Sequence, residues 1–392
     1  MKYDFDEIIE RRGTHSIKFD SMQELWGRND LIPMWVADMD FRTPSFIVEA
    51  IKKRMEHEIF GYTKPSDEYF NSIIRWVDKR YGMKVCKEEI QYIAGIVPGI
   101  HHAVCALSEK GDKIMIQPPV YHPFKQVIEG TGRSVVQSPL ILRDGRYYMD
   151  FDSMRKQIQG CKLYILCNPH NPGGVVWSRE ELETVADICK ESGVMVISDE
   201  IHADMTFLPH KHLPFAMVND WTHENTVTFM APSKVFNMPG IIASHAIVFN
   251  NDLRERFYSY LEQNDLIMGN AFAYPAVEAA YTQGEDWLKQ MLDYVYENIR
   301  LVDTSLKQKM PKIKAILPEA SFLIFLDCRE LGYETQEQLV DFFVNKARLG
   351  LNDGAMFGKE GTGFMRLNVA TPRSIVAEAM KRLEDAYLGE GF

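Results

Sequence analysis

Apolar residues along this chain change their period several times, and each change marks an element. Thr43-Pro44-Ser45 opens a segment in which Ile47, Val48 and Ile51 recur at helical spacing, and a longer amphipathic pattern runs to about Tyr81. From about residue 90 the order becomes strand, turn, helix, repeated. Residues 90–94 predict a strand, and the turn Gly95-Ile96-Val97-Pro98-Gly99 leads into a helix carrying His101 and His102. Residues 113–117, 162–167, 194–198 and 226–230 are short apolar runs of the kind that form strands buried on both faces. Ser178 with Glu181 three positions on has the capping-box pattern for a helix running to about Ser192. Residues 243–249 predict a last strand, and the chain then turns helical.

A long helix is predicted over 273–309, with Val277, Ala280, Trp287, Leu288, Met291, Val295 and Ile299 as a core-facing stripe. Beyond it come a strand at 321–328, a helix at 335–348, a strand at 365–369 and a closing helix over 371–388. The alternating part predicts an α/β fold with a largely parallel sheet, followed by a smaller α+β part. Tyr121, Asn171, Asp199, His202 and Lys234 all fall just past the C-terminal ends of successive predicted strands. In an open α/β sheet those ends share one rim, which is where ligands bind.

Lys234 lies between the apolar run 226–230 and the turn Asn237-Met238-Pro239-Gly240. In that setting it is either a strand-end lysine paired with an acid or a desolvated amine able to form a Schiff base with a carbonyl. Asp38 and Asp40 interrupt another apolar run and read as turn acids that accept backbone N–H bonds. The Gly95–Gly99 turn, entering a helix, offers free N–H groups to a phosphate, although Pro98 contributes none. Asn168-Pro169 and Asn171-Pro172 demand a defined turn.

Composition narrows the choices. The chain has 392 residues, 46% hydrophobic and 25% charged, which fits an ordinary folded protein of about two domains. A net charge of -11 leaves no electrostatic footprint for nucleic acid or an anionic membrane. The six cysteines lack ligand spacing, so neither metal nor a disulfide framework is expected. With neither an apolar N-terminal leader nor a membrane-length run, a cytoplasmic location is the expectation.

Asn171-Pro172-Gly173-Gly174, Asp199-Glu200-Ile201-His202, Ser233-Lys234 and Arg366-Leu367-Asn368-Val369-Ala370 occur in one order over nearly the whole chain. Together they resemble the fold-type I pyridoxal-phosphate enzymes of the class I/II aminotransferase superfamily. The resemblance implies a large domain, residues 46–285, with a mostly parallel seven-stranded sheet between helices, and a smaller α+β domain from 1–45 and 286–392. It implies Lys234 as the Schiff-base residue and proton carrier, and Asp199 beside the pyridine nitrogen. Tyr121 would stack on the ring, Asn171 would bond its hydroxyl oxygen, and His202 would take a place that is tyrosine in many relatives. The phosphate would lie at Val97, Pro98 and Ser233, with Tyr62 reaching in from the second subunit of a homodimer whose site is at the interface. Arg366, Ala37 and Asn171 would hold the carboxylate of an amino-acid substrate.

Many aminotransferases carry a phosphate-binding arginine eight positions after the lysine, and this chain has Ile242 there. That departure, with the segment from Trp35 to Phe41, resembles the carbon-sulfur lyase branch, the cystathionine β-lyase and cystalysin-like enzymes. β-Elimination is the expected reaction and amino-group transfer the alternative. A regulatory binding role is a third expectation, without direct DNA contact.

Overall fold

A computed structural model of the chain describes residues 2–392. A seven-stranded sheet forms its centre, built from β1 (Ile90–Ile93), β2 (Lys113–Ile116), β3 (Ser134–Gln137), β4 (Cys161–Cys167), β5 (Met195–Asp199), β6 (Thr226–Met230) and β7 (Ser244–Ile247). Their spatial order is β1, β7, β6, β5, β4, β2, β3. Strand β7 is antiparallel to both neighbours, and the other four pairings are parallel.

Strand alternation explains why both faces of the sheet are dry. Leu163 and Ile165 of β4 join Ile116, Ile197 and Val227 in one apolar cluster, whereas Tyr164 and Leu166 join Met115 and Val196 in another. The helix α1 (Ile96–Leu107) covers the first face through Ile100, Ala103 and Val104. On the second face the helix Arg179–Ser192 packs through Leu182, Val185 and Ile188, and its N-terminus carries the expected Ser178 and Glu181 capping box. A fully buried side chain such as Leu163 contributes roughly 1.5–3 kcal/mol to this arrangement.

A second, antiparallel sheet contains β8 (Lys314–Ile316), β9 (Leu323–Asp327), β10 (Asn352–Asp353) and β11 (Phe364–Asn368) in the order β8, β9, β11, β10. The N-terminal segment returns to this part of the molecule. Ile32–Pro33 pairs in parallel with Leu349–Gly350, and the Asn368 N–H donates to the Met34 carbonyl at 2.9 Å. Arg366 of β11 is thereby carried toward the rim of the central sheet.

Several elements differ from the sequence expectation. The helix predicted over 273–309 is two helices, Ala273–Gln283 and Glu285–Lys309, interrupted at Gly284. A Cβ at Gly284 would sit 2.3 Å from both the Phe236 ring and the Ala280 carbonyl oxygen. The break therefore makes room for a ring two residues beyond Lys234. The helix predicted over 335–348 ends as Gln336–Asp341 and continues in a π turn over Phe342–Lys346. Strand β3 and the hairpin Ile141–Arg143 with Arg146–Tyr148 have little periodic signal, being only three or four residues long.

Candidate active site

Strand register places Asp199, the last residue of β5, between Cys167 of β4 and Phe229 of β6. Asn171 and Lys234 lie four residues beyond the ends of β4 and β6, and Tyr121 five beyond β2. The rim expected from the sequence is formed: Asp199 acts electrostatically on Tyr121 and Lys234, and Arg366 acts on Tyr121, His202 and Lys234. Three X-Pro bonds at the rim are cis, Pro118-Pro119, Asn168-Pro169 and Asn171-Pro172.

Lys234 is partly buried in the turn after β6, and its Nζ donates to the Ala37 carbonyl at 2.8 Å. Burial, with the Arg366 charge adding to it, pulls its pKa down to about 8, while Asp38 and Asp199 oppose the change. Among the described residues no carboxylate comes within ion-pair distance of Nζ, so the strand-end pairing that was the alternative reading does not form. An amine in this state loses its proton far more readily than one in water, as a nucleophile or proton carrier requires.

Arg366 is 5% exposed and also lacks a carboxylate partner among the described residues. Its Nη1 donates to Asn171 Oδ1 at 3.0 Å, and its Nη2 donates to Asn352 Oδ1 at 2.6 Å and to the Trp35 carbonyl at 3.2 Å. The guanidinium lies 4.8 Å from the centre of the Phe357 ring, and its Nε is buried without a partner. A buried cation held only by neutral groups leaves a large desolvation cost that an incoming anion would offset. Burial lowers the Arg366 pKa to about 10, so the group remains charged at neutral pH.

Asp199 is 4% exposed, and the single hydrogen bond its carboxylate accepts, among the described residues, comes from the Ile201 N–H at 3.1 Å. Burial raises its pKa to about 7, and the neighbouring Glu200 adds to the rise. Glu200 is itself fixed by the Ser198 hydroxyl, the Phe215 N–H and His212. His202 is buried with Nδ1 unpartnered, and burial, reinforced by Lys234 and Arg366, lowers its pKa to about 3. It is neutral at physiological pH.

Not every predicted residue is where the sequence put it. Val97 and Pro98 belong to the first turn of α1 rather than to a loop, with Gly95 as its N-cap at φ 100°. The first-turn N–H groups of Ile96 and Val97 have no intrahelical acceptor, so a phosphate could still be met there. Ile242 packs at this end: an added Cβ at Gly95 would be 3.9 Å from its Cγ2. Ser233 is buried at 8% and its carbonyl accepts the Met238 N–H at 2.9 Å. Tyr62 is 97% exposed and takes no part in the site of its own chain. Asp38 and Asp40 are not turn acids of the expected kind, because their carboxylates meet the side chains of Arg11 and Lys18 instead of backbone N–H groups.

Sequence reasoning gave no role to Asn352, Phe357, Asn237 or Asn368. Asn237 sits at φ 49°, bonding Met39 and Phe41 across to the Lys234 turn, and Asn368 Nδ2 donates to the Val36 and Asp38 carbonyls. An asparagine just before Met-Pro-Gly is a recognisable left-handed turn signal. Asn352 has no such signal, since its strand is two residues long.

These groups suit pyridoxal phosphate. The amine of Lys234 suits its aldehyde, the uncompensated carboxylate of Asp199 suits a protonated ring nitrogen, and the free first-turn N–H groups suit its phosphate. The aminotransferase class I and II family model matches residues 29–383. Cystathionine beta-lyase PatB of Bacillus subtilis is 41% identical over 97% of this chain and 99% of its own. A solved PLP-bound putative aminotransferase from Clostridium difficile is 40% identical with a TM-score of 0.96, covering 98% of this chain and 100% of that one. Cystalysin from Treponema denticola, which contains pyridoxal 5'-phosphate, is 33% identical with a TM-score of 0.96 and covers 100% of both chains.

Proposed function

The chain belongs to the aminotransferase class I and II family, and from that premise we propose that it is a pyridoxal-phosphate-dependent carbon-sulfur β-lyase. Its substrate is cystathionine, cysteine or a related S-substituted L-cysteine, and its products are a thiol, pyruvate and ammonia. The observation that carries this reading is the 41% identity to a cystathionine beta-lyase over 97% of the chain. Ile242 beside Gly95, in place of the arginine common in aminotransferases, agrees with it.

When bound, pyridoxal phosphate supplies an aldehyde that captures amines and a ring that withdraws electrons from the substrate α-carbon. The chain's own residues do the rest. Lys234 anchors the cofactor and, as a free amine, takes the α-proton at Nζ. Asp199 would favour a protonated ring nitrogen by presenting a buried negative charge to it. Arg366 grips the substrate carboxylate in a two-pronged contact, with Asn171 and the backbone at Ala37 fixing its orientation. Tyr121 and His202 would flank the ring, and Val97, Ser233 and the first turn of α1 would hold the phosphate end. The neutral His202 leaves Arg366 as the main positive charge available to the carboxylate.

A homodimer is part of the same reading. Met55, Ile59, Phe60 and Tyr62 are 50%, 69%, 59% and 97% exposed, an apolar run of the kind that a second subunit covers. That subunit would receive Tyr62 at its phosphate end. Six unpaired cysteines fit a reducing compartment, and the cytoplasm is the proposed location. No helix among the described residues is long and apolar enough to cross a membrane.

The test is incubation with cystathionine or cysteine in the absence of any 2-oxo acid. Pyruvate and free thiol or sulfide are expected. Loss of amino acid only when a 2-oxo acid is added, with no pyruvate formed, would instead establish the aminotransferase alternative. Borohydride should bleach a visible absorption band that Lys234→Ala lacks.

A further inference from the structure

Arg11 and Lys18 are cations with no part in the reaction described above, and both face one turn. Arg11 Nη2 donates to Asp38 Oδ2 at 2.6 Å, and its Nη1 donates to Asp40 Oδ1 at 2.6 Å and to the Met39 carbonyl at 3.2 Å. Lys18 approaches the same acids, with Nζ 2.7 Å from Asp40 Oδ2 and 3.7 Å from Asp38 Oδ1. Lys18 is 1% exposed, so these carboxylates and not water support its charge. Two acids that would repel each other are thus closed into a four-charge cluster.

The turn held this way carries two carbonyls that reach the site. Ala37 accepts from Lys234 Nζ at 2.8 Å, and Trp35 accepts from Arg366 Nη2 at 3.2 Å. On its inner side the turn is held by neutral amides: Asn368 Nδ2 donates to the Val36 and Asp38 carbonyls at 2.6 and 2.7 Å, and Asn237 Oδ1 accepts from the Met39 N–H at 3.0 Å. The outer side depends on the ions, because residues 10–16 are largely exposed and Ile17 is 67% exposed. Trp35 Nε1 adds one bond outward, to the Lys18 carbonyl at 3.0 Å.

We propose that Arg11 and Lys18 are positioning residues that clamp the segment 11–41 over the site and so fix the Trp35 and Ala37 carbonyls against Arg366 and Lys234. Neither touches the reacting atoms, and both act through the backbone of the turn. Arg11 is the more telling of the two, since it alone spans both acids and the carbonyl between them.

The kinetic arm of the test rests on the lyase reading, and the proteolytic arm does not. Cofactor-loaded Arg11→Met, Arg11→Lys, Lys18→Met, Asp38→Asn and Arg11→Met/Asp38→Asn are compared with the parent by proteinase K digestion, with mass spectrometry locating the cuts, and by pyruvate release. Arg11→Met should be cut within 12–42 about tenfold faster and show KM raised about tenfold, with kcat changed less than KM. Arg11→Lys should recover part of both, and the double variant should lose no more than Arg11→Met alone. Parental cutting and KM in Arg11→Met, or fully additive losses in the double variant, would overturn the proposal. If Lys18→Met fails to fold, Arg11→Lys against Arg11→Met still decides. If no variant and no parent protein makes pyruvate, the lyase reading fails and the digestion pattern alone judges the clamp.

Discussion

Arg366 Nη1 and Asn171 Oδ1 meet at 3.0 Å although 195 positions separate them in sequence. The bond joins the second sheet to the turn after β4 and aims at the rim a guanidinium that has no carboxylate partner among the described residues. Arg366→Lys removes the two-pronged geometry and keeps the charge. KM for the amino acid should rise by roughly 10- to 100-fold, about 1.4–3 kcal/mol of binding, with cofactor content unchanged. Steady-state pyruvate release measures this, and a parental KM in Arg366→Lys would remove Arg366 from carboxylate binding.

Asp199 has a pKa of about 7 in the folded apoprotein against 3.8 for the free side chain, chiefly through burial. Between those values the folded state holds a proton that the unfolded state has released, so stability falls as pH rises through this window and levels off above about 7. A shift of this size corresponds to at most about 4 kcal/mol. Urea denaturation of apo Asp199→Asn between pH 4 and 7.5 should show a shallower decline than the parent. Identical slopes would mean that Asp199 does not titrate there.

Lys234 shows the opposite window. Its pKa falls to about 8 from 10.5, so between these values the unfolded state carries the extra proton and stability rises with pH. Below about pH 8 the buried charge penalises folding in full. Apo Lys234→Met should therefore be more stable than the parent at pH 7, by about 1–3 kcal/mol, and that advantage should shrink toward pH 10.5. Thermal denaturation of both apoproteins across pH 7–10.5 is the measurement, and a less stable Lys234→Met at pH 7 contradicts it.

Gly284→Ala places a methyl group 2.3 Å from the Phe236 ring. Either the helix pair or the ring must move, at about 1–3 kcal/mol. The urea midpoint should fall without a change in slope, and the rate of pyruvate release should fall as well, because Phe236 anchors the turn bearing Lys234. Full activity with reduced stability would separate the two roles of this contact.

Much of the central sheet was legible in the sequence because its strands are buried on both faces and read as unbroken apolar runs, as 226–230 does for β6. Tyr121, Asn171, Asp199 and Lys234 could be placed on one rim because parallel strands bring their C-terminal ends together. The carboxylate end of the site was less accessible to that logic. Arg366 was identified only through a resemblance, and Asn352 and Phe357 not at all, because their positions depend on how the second sheet packs against the first.

The sequence by itself determined the order of elements, the places of Lys234 and Asp199 just past or at the ends of buried strands, and the absence of an arginine at position 242. Tertiary structure alone decided that Arg366 is held by the neutral groups of Asn171, Asn352 and Trp35, that Asp38 and Asp40 pair with Arg11 and Lys18, and that Gly284 breaks a helix to admit Phe236. Periodicity reports which face of an element is buried, and it is blind to what lies opposite. Charge compensation and ring packing are properties of the space between elements, fixed only when residues hundreds of positions apart have met.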